Sequence, residues 1–97
     1  MFDLTGRKAL VTGATGGLGE AIARALHAQG AIVGLHGTRE EKLKELAAEL
    51  GDRTFIFPAN LSDREAVKAL GQKAEEEMGG IDILVNNAGI TRDGLFV

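Results

Sequence analysis

Apolar residues in this chain follow two rhythms. Short unbroken runs alternate with longer stretches in which apolar positions recur every three or four residues. The runs are "KALVT" (8–12), "AIVGLH" (31–36), "TFIFPA" (54–59) and "IDILVNN" (81–87). Runs this short, apolar on successive positions and bounded by turn residues, predict strands buried on both faces. Pro58 falls near the end of the third run, where a missing N–H costs least.

Between the runs the period changes. Leu18, Ala21, Ile22, Ala25 and Leu26 stand at i, i+3, i+4, i+7 and i+8, which predicts one buried helix face closed by Gly30. Leu43, Leu46, Ala47 and Leu50 form a second stripe, closed by Gly51. "TREE" (38–41) reads as a capping box with Thr38 as N-cap and Glu41 three residues on. "SDRE" (62–65) reads as another, opening a helix that carries Val67, Leu70 and Ala74, with Met78 near its end. Gly79 and Gly80 stop that helix, and the charge in "KAEEE" (73–77) is mostly a solvated face.

The order is βαβαβαβ, an α/β pattern that calls for a parallel sheet with right-handed crossovers. The expected strand order is 3-2-1-4, the first half of a Rossmann-like, doubly wound sheet. Residues 1–97 then form one half of a single domain. "ILV" (83–85) would be an open apolar edge that needs another chain segment to cover it.

Bulk properties narrow the field only by exclusion. With 44% hydrophobic and 26% charged residues the chain has a folded, soluble profile. Its 11 basic and 14 acidic residues are scattered, so no basic patch points to nucleic acid. There is no cysteine, which excludes disulfides and thiolate metal sites and fits a reducing, cytoplasmic location. No apolar run is long enough to span a membrane. The start, "MFDLTGRKALVTG", is charged at Asp3, Arg7 and Lys8 and does not read as a secretion signal.

The chemistry sits in "LVTGATGGLGEAIARAL" (10–26), where Gly13, Gly16, Gly17 and Gly19 join the first strand to the first helix. A helix N-terminus offers unpartnered N–H groups and a partial positive charge, and glycine lets a phosphate come close to them. The spacing is Gly13-x-x-x-Gly17-x-Gly19. It is neither G-x-G-x-x-G nor a P-loop, because no G-K-[S/T] follows. A diphosphate over the turn accounts for four glycines; a turn that merely needs positive φ would require one or two.

Three further strand ends lie in the same layer. NAD-binding units commonly place an acid after the second strand to hold the ribose 2′-hydroxyl. Here Gly37 stands in that place, followed by Thr38, a hydroxyl donor, and Arg39, a positive charge. This leans towards NADP(H), although Thr38 and Arg39 also read as the cap and first turn of the second helix. "NNAG" (86–89) closes the fourth strand as a polar, cofactor-facing turn, with Asn86 also a candidate strut between strands. Asn60, after the third strand, is a candidate contact for adenine. His27 and His36 have no Cys, Asp or Glu at metal-ligand spacing, and a surface or capping role is expected for both.

"TGATGGLG" together with "NNAG" resembles the short-chain dehydrogenase/reductase family, and "DILVNNAGITRDGLF" (82–96) is similar to the bacterial 3-oxoacyl-(acyl-carrier-protein) reductases within it. The resemblance covers essentially the whole chain. It implies that Gly13, Thr15, Gly16, Gly17, Leu18 and Gly19 line the phosphates. Thr38, supported by Arg39, would contact the adenosine ribose or its 2′-phosphate. Asn60 and Leu61 would contact the adenine, and Asn87, Ala88 and Gly89 the nicotinamide-side ribose. It further implies NADPH-dependent reduction of a 3-oxoacyl group on acyl carrier protein, in fatty-acid synthesis, by a cytoplasmic homo-oligomer, expected to be a tetramer. Other members act on sugars, steroids or polyols, and a noncatalytic dinucleotide-binding module is the reading from outside the enzymes.

Two departures stand out. Many such reductases carry Arg where this chain has Gly16, which shifts weight for a 2′-phosphate to Arg39. The family's catalytic Ser, Tyr and Lys follow "NNAG", and this chain has no tyrosine, so no catalytic residue is assigned within it.

Overall fold

The computed structural model describes residues 3–62 and 64–87. Four strands and three helices alternate: β1 (Lys8–Thr12), α1 (Gly17–Ala28), β2 (Ile32–Gly37), α2 (Glu40–Leu50), β3 (Thr54–Pro58), α3 (Arg64–Met78) and β4 (Ile83–Asn86). The strands form one parallel sheet in the order β3-β2-β1-β4, as the sequence predicts. The first strand has the expected bounds; the others are trimmed or shifted by one or two residues.

Burial follows position in the sheet. β1 and β2, in the middle, are buried almost throughout, whereas β4, at one edge, alternates between half-buried and exposed. Leu84 is 62% exposed there, so the apolar edge expected at 83–85 is present among the described residues. Pro58 closes β3 on the opposite edge, opposite Gly37.

Two cores flank the sheet. On one face Val11, Val33 and Leu35 meet Ala23 of α1 and Leu43 and Leu46 of α2. On the other, Leu10 and Phe57 meet Leu70, Ala74 and Met78 of α3. Burying each large apolar side chain stabilises by about 1.5–3 kcal/mol.

Three expectations about the helices need correction. The buried face of α1 is Gly19, Ala23 and His27, with Ile22 and Leu26 half-buried, while Leu18, Ala21 and Ala25 are exposed. The spacing is the expected one, displaced by a single residue. The turn decides this: Gly19, with no side chain, faces the sheet so that the helix can approach Gly13 closely. In α3, Leu70, Ala74 and Met78 are buried but Val67 is 51% exposed, because it points towards the uncovered side of β4.

The first capping box also moves. The residue before α2 is Arg39, extended at φ −110° and ψ 107°, and no side-chain oxygen caps the helix. Thr38 is therefore one residue too early to cap it. The described part of α3 begins at Arg64, and residue 63, on which a cap at Ser62 depends, lies outside the described residues. The Gly30 stop holds: α1 ends at Ala28 and Gly30 takes φ +101°, where a Cβ would collide with Thr5.

Candidate functional site

The carboxyl ends of β1, β2 and β4 and the N-terminus of α1 converge on Gly13. This residue takes φ +65°, which turns the chain sharply out of β1. Its N–H donates to His36 Nδ1 at 3.1 Å. Its carbonyl accepts from the Gly16 N–H at 3.2 Å and from Asn87 Nδ2 at 3.2 Å. The next residue, Ala14, donates its N–H to the His36 carbonyl at 2.7 Å. The turn is thus fixed from β2 on one side and from the end of β4 on the other.

The four glycines divide by what a side chain would meet. A Cβ on Gly19 would overlap the Gly13 carbonyl and lie 2.8 Å from Asn87 Nδ2, so this glycine permits helix–strand packing. Gly13 serves the positive φ. Among the described residues a Cβ at Gly17 would meet nothing within 4 Å, and one at Gly16 only the Gly13 carbonyl at 3.7 Å. Gly16 is extended, at φ −80° and ψ 162°, and is not among the residues with positive φ, nor is Gly17. Neither packing against the described residues nor backbone conformation demands glycine at these two positions. Together they leave an open cradle at the start of α1, whose N-cap has no side chain to satisfy the first N–H groups. A diphosphate, anionic and needing close backbone approach, fits that cradle.

Gly37, at the end of β2, is buried, and a Cβ there would lie 3.2 Å from Leu43 Cδ2 and 3.3 Å from Thr15 Oγ1. The acid found in many NAD-binding units is thus replaced by a glycine against which the Thr15 and Leu43 side chains close. Beside it, Thr15, Arg39, Lys42 and Glu45 line a cleft of about 280 Å³ between α1 and α2. Thr38 and Arg39 are exposed. Arg24, on the wall of the cleft, binds both Glu20 and Glu49, which holds its own pKa above the usual guanidinium value. Arg24 offsets one of those two negative charges, and with Arg39 and Lys42 against Glu45 the charged side chains lining the cleft, three basic and three acidic, balance. Lys42 was not foreseen from the sequence; its position three residues after Arg39 is the signal that would have found it.

At the other strand ends, Thr12 Oγ1 donates to Asn86 Oδ1 at 3.2 Å, tying β1 to β4. Asn86 is therefore a strut, as the sequence allows. Asn87, expected to face the ribose, has its amide on the Gly13 carbonyl and supports the turn. Asn60 is exposed after β3, and Leu61 packs against the α3-side core. Ala88 and Gly89 lie outside the described residues.

The histidines overturn the surface expectation. His27 is 8% exposed, with Nε2 2.8 Å from the Asp52 carbonyl. His36 is 2% exposed, with Nε2 2.9 Å from the Ala59 carbonyl and Nδ1 on the Gly13 N–H. Burial pushes the His36 pKa below its ordinary value, and the bond to Ala59 only partly offsets this.

Comparison with known proteins agrees with this geometry. The family model for short chain dehydrogenases matches residues 7–97. The chain belongs to that family. It is 80% identical over all 97 residues to "Nodulation protein G" of Rhizobium sp. (strain N33) and 47% identical to a 3-oxoacyl-(acyl-carrier-protein) reductase of Rickettsia conorii. It covers 40% and 39% of those proteins, so it spans about two-fifths of their length. Among solved structures, a 3-ketoacyl-(acyl-carrier-protein) reductase from Brucella melitensis complexed with NADH superposes with a TM-score of 0.82 at 38% identity, over 91% of this chain and 36% of that one. No described helix is long and apolar enough to cross a membrane.

Proposed function

We propose that residues 1–97 are the dinucleotide-binding half of an NADP(H)-dependent oxidoreductase, and that the whole protein reduces the 3-oxo group of an acyl chain carried on acyl carrier protein. The observation that carries the cofactor reading is the open cradle at Gly16 and Gly17 over the uncapped start of α1. The relatives named as 3-oxoacyl reductases support the substrate class.

In this reading Gly13, Thr15, Gly16, Gly17 and Leu18 form the diphosphate wall, and Gly19 serves it by letting α1 pack close to Gly13. Thr38, Arg39 and Lys42 face the 2′ position, where Gly37 in place of an acid leaves no carboxylate to repel a phosphate. Asn60 and Leu61 border the adenine, and Asn87, Ala88 and Gly89 the second ribose. The bound dinucleotide supplies the hydride. The chain contains no tyrosine, so the Tyr–Lys proton donor and the orienting Ser that the family resemblance implies are assigned to no residue here. A cytoplasmic homo-oligomer, a tetramer, completes the proposal.

A second reading has its own support. The relatives at 80% and 73% identity are named "Nodulation protein G", which states no substrate, and the Brucella melitensis neighbour is complexed with NADH. The alternative is a family member acting on a different carbonyl or alcohol with NAD(H). Fluorescence titration of the whole protein with NADPH and NADH, followed by turnover of a 3-oxoacyl thioester, tests both. Tighter NADPH binding with 3-oxoacyl reduction is expected. NADH preference refutes the cofactor choice, and a saturable cofactor without 3-oxoacyl turnover refutes the substrate. Gly17→Val is expected to abolish dinucleotide binding with an unchanged circular-dichroism spectrum; retained affinity refutes the cradle.

A further inference from the structure

His36 is a buried ring with both nitrogens engaged, and each partner belongs to a different loop of the candidate site. Nδ1 accepts the Gly13 N–H at 3.1 Å, and Nε2 lies 2.9 Å from the Ala59 carbonyl. Only one protonation state serves both contacts: the neutral imidazole with its proton on Nε2. The surrounding backbone repeats the linkage. Ala14 N–H donates to the His36 carbonyl, and Ala59 N–H donates to the Gly37 carbonyl at 3.0 Å. The glycine turn and the loop that begins at Ala59 and leads into Asn60 and Leu61 are therefore joined through the His36 side chain and the His36–Gly37 backbone.

We infer that His36 is a positioning residue for the dinucleotide, setting the glycine turn against the Ala59–Leu61 loop, and that cofactor affinity depends on its Nδ1 remaining unprotonated. The inference rests on the dinucleotide reading above. Protonation places an N–H on Nδ1 facing the Gly13 N–H, two donors across a contact that holds one hydrogen bond. The ring or the Gly13 peptide must then rotate. Gly13 is also the residue whose carbonyl receives Asn87 and Gly16, so movement there is transmitted to the start of α1.

Among the described residues around the ring no acidic side chain is placed to stabilise the imidazolium. On the sheet, His36 is paired with Phe57 of β3, and Thr12 lies on the β1 side, directly after the Val11–Leu35 pair. The glycine turn, residues 13–17, carries no ionisable side chain. From α3 the charged group bordering Phe57 and Ala59 is Lys73, a cation that opposes a second positive charge. Burial acts in the same direction.

The test compares the whole wild-type protein with His36→Asn and His36→Leu. Asn keeps an acceptor near the Nδ1 position and cannot titrate; Leu keeps bulk and loses the acceptor. NADPH affinity is expected to fall about tenfold or more in His36→Leu at pH 7.5, the equivalent of one unsatisfied buried N–H. His36→Asn is expected to restore most of that loss. In the wild type the affinity, taken relative to His36→Asn at each pH, falls as pH drops from 7.5 to 5, approaching tenfold per pH unit below the His36 titration. Titration of the 2′-phosphate is common to both proteins and cancels in the ratio. KM for the dinucleotide follows this profile while kcat does not. A readout free of cofactor is the Gly13 amide resonance in glycine-labelled protein, expected to titrate with the His36 ring. Parallel pH profiles for wild type and His36→Asn, or a Gly13 resonance indifferent to that titration, overturn the inference and leave the cofactor reading standing. Absence of wild-type binding at any pH overturns both.

Discussion

The substitution Gly19→Ala adds one methyl group two residues from Gly17→Ala, yet the two are expected to act in opposite ways. At Gly19 the new carbon overlaps the Gly13 carbonyl and comes within 2.8 Å of Asn87 Nδ2. The obstructing atom is the backbone oxygen of Gly13, a residue whose N–H is held by His36, so the strain cannot be relieved by swinging a side chain. Overpacking of this kind costs about 1–3 kcal/mol, and the upper end applies here. Displacing Asn87 from the Gly13 carbonyl removes a hydrogen bond worth about 0.5–1.5 kcal/mol. Alanine's better helix propensity returns about 0.5–1 kcal/mol. The sum is a loss of about 3 kcal/mol. For a protein of the relatives' size this lowers Tm by roughly 6–12 °C. Gly17→Ala meets none of the described residues within 4 Å, keeps or slightly raises Tm, and weakens dinucleotide binding. Thermal unfolding of the three whole proteins, followed by circular dichroism, checks the pair. A Gly19→Ala variant melting within about 2 °C of wild type would refute the close-packing account, since that is the scale of a single ordinary surface change.

Three other outcomes follow from the same structure. Leu43 is fully buried between α2 and the sheet, so Leu43→Ala should lose about 2–5 kcal/mol in urea unfolding without altering the cradle. His36 has its pKa lowered from 6.5 by burial, so the folded protein binds fewer protons than the unfolded one just below that pH. Its contribution to stability is present above pH 6.5 and is lost as pH falls through the folded-state pKa; urea midpoints at pH 7.5 and 5.5 should converge for His36→Asn relative to wild type. Gly37→Asp should shift preference from NADPH towards NADH by setting a carboxylate near the 2′ position. Its Cβ sits 3.2–3.4 Å from Leu43 and Thr15, so a Tm measurement alongside the titration separates that effect from crowding.

The strand order was legible because buried parallel strands write themselves as apolar runs, and the helices between them fix the crossover direction. The helix termini at Gly30 and Gly51 were legible for a local reason, since both take positive φ. The orientation of α1 was not. Leu18 is more apolar than Gly19, so hydrophobicity alone selects the wrong one of two stripes a residue apart; close approach to Gly13 selects the other. The separate duties of the four glycines were hidden for the same reason, because Cβ clearance depends on atoms brought in by the fold. The buried histidines carried no local signal either. Their partners are a turn 23 positions away and carbonyls at Asp52 and Ala59, and backbone acceptors leave no trace in residue type. Asn86 and Asn87 were visible as a polar strand end, but which of them reaches the turn depends on the register of β4 against β1.

The central position of β1 has a consequence during synthesis. Its β2 side is completed early, since Gly13 and His36 are 23 positions apart. Its β4 side waits for Asn86, 74 positions after Thr12. At about 5–20 residues per second the ribosome takes roughly 3–10 s to go from His36 to Asn86. Throughout that interval β1 presents one bare row of N–H and C=O groups, and Gly13 has its histidine but not its asparagine. A nascent chain in this state is a substrate for chaperones and for mispairing with a neighbouring copy on the same message. The last link to the turn is therefore made late, and the glycine turn is the part of this half-sheet whose final shape depends on strands at both ends of the sequence.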